Sequence, residues 1–522
     1  MLKFTLDSGA PAEAWRWDGA RWHNGLSWVE PYTHAVLEQT AITHGGALLI
    51  VTRERRRAPQ EALFVAPQRI QEVSHSTYER VRKESLEWPL EFLVLECHTN
   101  GDVEVKAGCL GTAPVYLLED GRALHGSWDL LDLRHLTSAS ALVPREVARR
   151  LTRHYRYTTE TAWHGLQRLT ERATASFGHH GLTISHPDVA LHSRPRSLAS
   201  GADVLGGYET ILEHVVSQRH FNPGTTAIEL SGGMDSANVA MALGKLYPCE
   251  LTSCALLLGG TPGPQQIRRR RPLVERCGFD DILVSILDFL PLAPHGPRLT
   301  HQVSPYEEPY VEGYFQMLAD LAERGIDTVF TGIGGDEMVS LTVDEKPPSN
   351  LQEIPHHPSW ISEQAINDLR EVDAGVLPAA VVSEMTLIAH ACIAPGYLRA
   401  GIWPISPLAS PELILFGEWL PVEWRRNKHL HRARLSSLGF SDEIANPPIR
   451  EDFAHVIQQG MRQNGLPLIE RYLNDSLLVD TGYVAPDGLR ACYGEALTAD
   501  PMDTAIYEFI NWEIGLRTFD AA

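Results

Sequence analysis

The sequence predicts an α/β protein in two parts, a β-rich α+β sandwich followed by a parallel sheet with helical crossovers. Three observations predict it. In the first part, "FLVLEC" (92–97), "DVEVKAGCLG" (102–111) and "PVYLLEDGRALHGS" (114–127) are short apolar runs separated by Asn-Gly and Asp-Gly pairs, the dipeptides of tight hairpins. From about residue 204, helix-period and strand-period segments alternate: "VLGGYETILEHVVSQRH", "TTAIELS", "ANVAMALGKLY", "ELTSCALLL", "IRRRRPLVERCG", "DILVSIL", "EGYFQMLADLAERG", "DTVFTG". That alternation means parallel strands joined by helices. Between the two parts lies "HSRPRSLASGAD" (192–203), polar and rich in Ser, Pro and Gly, which reads as a linker. The expected domains are therefore 1–192 and 204–522.

Smaller elements follow. "PREVARRLTRHY" (144–155) has helix period, and Pro144 suits a first turn. "RLTERATASF" and "GLTISH" read as one more hairpin. "TVDEKPPSNLQEIPHHPSW" (342–360), with its four prolines, reads as a mobile loop. After about residue 360 the chain reads as mostly helical.

Composition narrows the function. At 522 residues, with 43% hydrophobic and 21% charged residues, the chain has the make-up of a multidomain globular protein. A formal net charge of −21 excludes a nucleic-acid binder that neutralises phosphates with a basic face. It leaves room for a nucleotide in a backbone-lined pocket. Seven scattered cysteines without a CxxC pair suggest reduced thiols and no zinc site. The opening "MLKFTLDSGA" lacks the apolar core of a signal peptide, and no run reaches membrane-spanning length. The expectation is a cytoplasmic protein with no membrane partner.

The chemistry centres on "IELSGGMDSANVA" (228–240). "TTAIEL" is the strand and "ANVAMALGKLY" the next helix. Between them stand Ser231, Gly232, Gly233, Met234, Asp235 and Ser236. Ligands of parallel sheets bind beyond the carboxyl ends of strands. Two glycines let the backbone approach an anion, and the loop and helix N–H groups can cradle it. Asp235 would repel a bare phosphate, so a divalent cation is expected between them. The loop is not a Walker loop, because no Lys follows the glycines.

This SGGxDS string resembles the pyrophosphate loop of the ATP-pyrophosphatase superfamily. "DTVFTGIGGDEM" (327–338), with Gly332, Gly334, Gly335 and Asp336, resembles the second metal-and-phosphate loop of asparagine synthetase-type enzymes. The resemblance implies an N-terminal Ntn-hydrolase-like α+β sandwich, a C-terminal ATP-pyrophosphatase (adenine nucleotide α-hydrolase-like) domain and a helical C-terminal block. It implies ATP and Mg²⁺ as cofactors, with Asp235 and Asp336 sharing the metal. "AGCLGTAPVYLL" and "HGSWDLLDL" resemble landmarks of the family's glutamine-hydrolase domain. "PYEEPY" (305–310), containing Glu308, sits where relatives start a helix lining the ATP site. Lys428 fits the family's Lys-x-x-x-Arg segment.

The chain also departs from the family. Its glutamine-hydrolysing members carry Cys after the initiator Met, where this sequence has Leu2. The resemblance then implies an inactive glutaminase and an amine from elsewhere, as in β-lactam synthetases and lasso-peptide isopeptide cyclases. Trp403 occupies the position of a Glu that supports the general-base step in β-lactam synthetases, and Arg450 that of their catalytic Lys. An Arg keeps the charge but cannot shuttle a proton. The expected catalytic set is Arg450, Lys428 and Glu308, with the base unassigned.

The leading expectation is an AMP-forming ligase that closes an amide ring in a ribosomal lasso-type peptide, working with a leader-binding protein and a leader peptidase. The alternatives are an amide ligase on a small metabolite and a catalytically silent nucleotide-binding scaffold. "IRRRRP" (267–272) reads as a solvated helix face with ion pairs rather than a phosphate patch. His179–His180 and His356–His357 read as loop residues rather than metal ligands. "SPYEEPYVEGYF" either lines a peptide pocket or starts a buried helix.

Overall fold

A computed structural model of the chain describes residues 1–7, 15–58, 62–64, 69–138, 141–345 and 357–520. The central part of the proline-rich 342–360 stretch, residues 346–356, lies outside them, as does His356.

The N-terminal part is built on two seven-stranded sheets. One runs in the order Leu166–Leu169, Val115–Glu119, Ala123–Ser127, Leu2–Asp7, Ser27–Pro31, Trp22–Asn24, Arg16–Trp17. The other runs Gly181–Ser185, Thr174–Gly178, Val103–Ala107, Phe92–Cys97, Ala47–Glu54, Leu37–His44, Ile70–Glu72. Pairing is antiparallel except between Leu37–His44 and Ile70–Glu72. Alternating residues from both sheets, among them Leu2, Phe4, Trp22, Ile50, Leu95 and Leu117, meet in one core, as the two-residue period of a strand requires. The helix His75–Leu86 covers the outer face of the second sheet through Tyr78 and Val81.

The remaining sheet is parallel throughout, and its strands are labelled in chain order: β1 (Thr226–Glu229), β2 (Thr252–Leu257), β3 (Asp280–Ser285), β4 (Thr328–Phe330) and β5 (Trp403–Ile405). Their spatial order is β3-β2-β1-β4-β5. Ala227, Ile228, Val329 and Phe330 are fully buried, as expected for strands covered on both faces. The chain leaves β1 first toward β2 and later returns on its other side to form β4. The order reverses between β1 and β4, and such a reversal opens a crevice at the strand ends.

After residue 360 the chain is mostly helical, from four-residue turns to the 16-residue helix Glu384–Arg399. The last helix, Ile506–Asp520, is buried on nearly every side, packing on Trp163, Tyr306 and the helix Pro144–Leu151. Four arginines of "IRRRRP" are all ion-paired, to Glu443, Glu451, Asp281 and Glu275. Arg268 and Arg271 are solvated, whereas Arg269 is buried against Glu451 and the Ile444 carbonyl and Arg270 against the Leu230 carbonyl, so the run is only half a solvated face. No helix among the described residues is long and apolar enough to cross a membrane.

Candidate functional site

The two glycine-bearing loops leave the sheet side by side. Register pairs Ile228 with Phe330, so β1 and β4 end at the same level, one on each side of the switch. After β1 the chain turns at Gly232, whose φ of +93° belongs to the left-handed region. Gly233 then caps the helix Met234–Leu246, and no side chain occupies its first-turn N–H groups. The Ser231 hydroxyl accepts from the Gly233 N–H at 3.1 Å and lies 3.2 Å from the Ser236 hydroxyl. These groups form a compact donor-rich end of the helix, the arrangement that receives anions.

The second loop lies against the first, backbone to backbone. A Cβ on Gly332 would stand 2.6 Å from the Ser236 nitrogen, and one on Gly335 would stand 2.5 Å from Asp235 Cγ. Only glycine permits that approach. Gly334 has a φ of +93° and turns the chain into the short helix Gly335–Met338.

Asp235, Asp336 and Lys428 meet where the loops converge. The Lys428 ammonium is 2.8 Å from Asp235 Oδ2 and 2.5 Å from Asp336 Oδ1. Burial would lower its pKa, but the two carboxylates outweigh burial and raise it. Lys428 reaches them from a backbone with φ of 55°. His431 presents Nε2 to the Gly335 carbonyl at 3.0 Å, and burial lowers its pKa, which favours the neutral ring. Asp235 Oδ1 is buried and has no hydrogen-bond partner. Two converging carboxylates, one with an unused oxygen, fit a hard divalent cation.

A cavity of about 440 Å³ opens beside the loops. The loops line it with Ser231, Gly233, Asp235, Ser236 and Gly332, and Glu229, Glu308, Tyr310, Tyr314 and Phe453 line it as well. Gln266 ties the strand ends beneath it, donating to the Ser231 and Leu256 carbonyls, both at 3.0 Å. Glu308 is held from behind. Arg298, 1% exposed, donates to the backbone carbonyls of Glu307 and Glu308. Burial pushes the Glu308 carboxyl up to about 7, against the Tyr310 hydroxyl bonded to it. Burial also raises Glu229, whose Oε2 accepts from the Tyr397 hydroxyl at 3.0 Å.

Of the residues singled out by sequence, the structure gathers Ser231, Gly232, Gly233, Asp235, Ser236, Gly332, Gly334, Gly335, Asp336, Lys428 and Glu308 around this crevice. It does not gather Arg450, whose side chain is 92% exposed and 4.0 Å from Asp452; its neighbours Glu451 and Phe453 line the cavity instead. Trp403 lies in β5 with its indole N–H donated to Glu54 Oε1 at 2.7 Å, so it faces the sandwich and not the cavity. Glu229, Tyr397 and Phe453 were missed. The one available signal was Glu229, a carboxylate inside an otherwise apolar strand.

Residues 207–378 match the family model described as asparagine synthase. The match takes in both loops and Glu308 and stops before Lys428, and it supports the asparagine synthetase superfamily for this segment. No curated protein matches the chain at a significant level. Among solved structures, an NH3-dependent NAD synthetase from Campylobacter jejuni in complex with nitrate ion is similar at 10% identity, covering 57% of this chain and 96% of that one, with a TM-score of 0.23. A glutamine phosphoribosylpyrophosphate amidotransferase from B. subtilis complexed with ADP and GMP is similar at 12% identity, covering 74% and 86%, with a TM-score of 0.21. Likenesses that weak carry no argument about fold or function.

Proposed function

We propose that the protein is an ATP-dependent, AMP-forming ligase that joins a carboxylate to an amine. The observation that carries this reading is the convergence of the two loops, with Asp235, Asp336 and Lys428 between them, at the switch point of the parallel sheet. The match to the asparagine synthase family supports it.

In this reading a substrate carboxylate oxygen attacks the α-phosphorus of ATP. The bond from that phosphorus to the bridging oxygen breaks, and pyrophosphate leaves toward the N–H groups of residues 231–236. An amine then attacks the acyl carbon, AMP departs with the former carboxylate oxygen, and the amine's proton passes to a base. Asp235 and Asp336 would hold Mg²⁺, which supplies charge neutralisation for pyrophosphate when bound. Lys428 balances the same carboxylates. Glu308 is the proposed base: a carboxyl near 7 changes charge at working pH. Holding both reactants in one cavity supplies further rate through effective concentration.

The finer reading is ring closure of a ribosomal peptide, with the peptide's own amine as nucleophile and a leader-binding protein and leader peptidase as partners. Leu2 in place of a thiol supports it. In this reading residues 1–192 serve as a scaffold.

Titration calorimetry of the full chain with ATP and Mg²⁺ tests the proposal. One nucleotide should bind, and Asp235→Ala should remove the binding. Absence of binding in the unmodified chain would leave the silent scaffold as the better reading.

A further inference from the structure

We infer that the part of the cavity lined by Glu229, Glu308, Tyr310 and Phe453 is a subsite for a protonated primary amine, held between the two carboxyls and against the two stacked rings. The inference rests on the ligase reading and names how that site recognises its acyl acceptor.

Charge comes first. Four carboxyl groups line the cavity, those of Glu229, Asp235, Glu308 and Glu451, with no Lys or Arg among the described lining residues. Two are already matched: Asp235 to Lys428 at 2.8 Å, and Glu451 to Arg269 at 2.8 Å. Glu229 and Glu308 accept from tyrosine hydroxyls, those of Tyr397 and Tyr310, and among the described residues neither makes an ion pair, although the Arg298 charge acts on Glu308. A buried carboxylate without a cation is costly, so these two form a place for a cation to enter.

Shape and hydrogen bonding then select the cation. Tyr310 and Phe453 stack with ring centroids 4.0 Å apart and planes 8° apart. Such a ring pair offers an aromatic wall that attracts an ammonium and the carbon next to it. Tyr314 lines the same cavity and is 5% exposed, and its hydroxyl is turned toward that of Tyr397, which leaves the Tyr314 oxygen able to accept. A primary ammonium has three donors and no acceptor. Glu229, Glu308 and the Tyr314 oxygen are three acceptors with lone pairs to spare beyond their tyrosine partners. An alcohol lacks the charge, and a carboxylate would be repelled.

The same groups serve the chemistry. An aliphatic amine arrives protonated at neutral pH and must lose a proton before it can attack. Two protons must leave the nitrogen: Glu229 takes the first from the bound cation, and Glu308 takes the second as the nitrogen attacks the acyl carbon. The charged and titratable groups around Glu308, among the described residues, are Tyr310, Glu229, Arg298, Glu508, Tyr507 and Cys392. Arg298 directs both terminal nitrogens to the Ser304, Glu307 and Glu308 carbonyls and to Asn511, and its charge acts on Glu308 without a hydrogen bond to that carboxyl.

The test is calorimetry of the full chain with benzylammonium as the probe, and benzyl alcohol and benzoate as controls, near pH 8. Benzylammonium should bind at least about tenfold tighter than the alcohol, and benzoate should not bind. Glu229→Gln and Glu308→Gln should each weaken the amine about tenfold or more. Tyr314→Phe should weaken it less. Lowering the pH to about 6 should weaken it too, as Glu308 takes up a proton. ATP·Mg²⁺ affinity is measured on the same samples and should persist in all three variants. Equal affinity for amine and alcohol, or unchanged amine affinity in both Glu variants, overturns the inference while the ligase reading stands. Loss of ATP·Mg²⁺ binding in the unmodified chain overturns both.

Discussion

Lys428 is the residue on which the two loops depend for charge balance. Asp235 and Asp336 would repel each other across the junction, and Lys428 contacts both. Its left-handed backbone places the ammonium there at some conformational cost, which suits a position fixed by function. Replacing it with Met should leave the fold intact but reduce AMP formation by about 10²-fold or more, measured by single-turnover chromatography. Glu308 sets a second expectation at this scale. Burial holds it near 7, so its basic form grows as pH rises through 7. The rate of amide formation should rise over that interval and level off above it. Glu308→Gln should lower the rate and flatten that limb, which a pH–rate profile reads directly.

At the scale of elements, the packing of loop on loop is what the glycines secure. Gly332→Ala and Gly335→Ala each put a Cβ closer than 3.0 Å to the facing loop. Each should cost about 1–3 kcal/mol in stability by overpacking and weaken ATP·Mg²⁺ binding. Gly494→Ala is the control: it lies in the helix Pro486–Ala496, where an added Cβ meets nothing within 4 Å. It should be neutral or slightly stabilising in thermal unfolding. These elements were legible in sequence because their signals are local. Strand, glycine pair, carboxylate and helix follow one another within a dozen residues at 228–240 and again at 327–338. The alternation that predicted the parallel sheet is equally local. β5 escaped notice because it has three residues and reads as part of a helical region. Trp403 escaped because its partner, Glu54, is 349 residues away. Arg450 was selected by position in a motif, and position says nothing about which way a loop side chain points.

For the whole molecule, the sandwich braces the crevice. Arg399, near the end of the helix Glu384–Arg399, pairs with Asp129 of the sandwich at 2.7 Å and with Glu307 at 2.8 Å. Glu307 is the neighbour of Glu308, so a contact across the two parts of the chain fixes the cavity wall. All three side chains are mostly buried. Arg399→Ala would strand two carboxylates and should cost about 3 kcal/mol, seen in urea unfolding. It should also weaken the pH limb assigned to Glu308. No sequence signal joined Asp129, Glu307 and Arg399, because each pairing spans ninety or more residues and only the fold brings them together.

The central claim is the adenylation chemistry at the β1–β4 crevice, and analysis of nucleotide products tests it most directly. The chain is incubated with ATP, Mg²⁺ and a peptide carrying a free N-terminal amine and an Asp or Glu at the ring position. Nucleotides are followed by chromatography and the peptide by mass. The account predicts AMP and pyrophosphate, a peptide lighter by one water, and loss of all three in Asp235→Ala. ADP and phosphate as the products, or AMP formed equally well by Asp235→Ala, would contradict it.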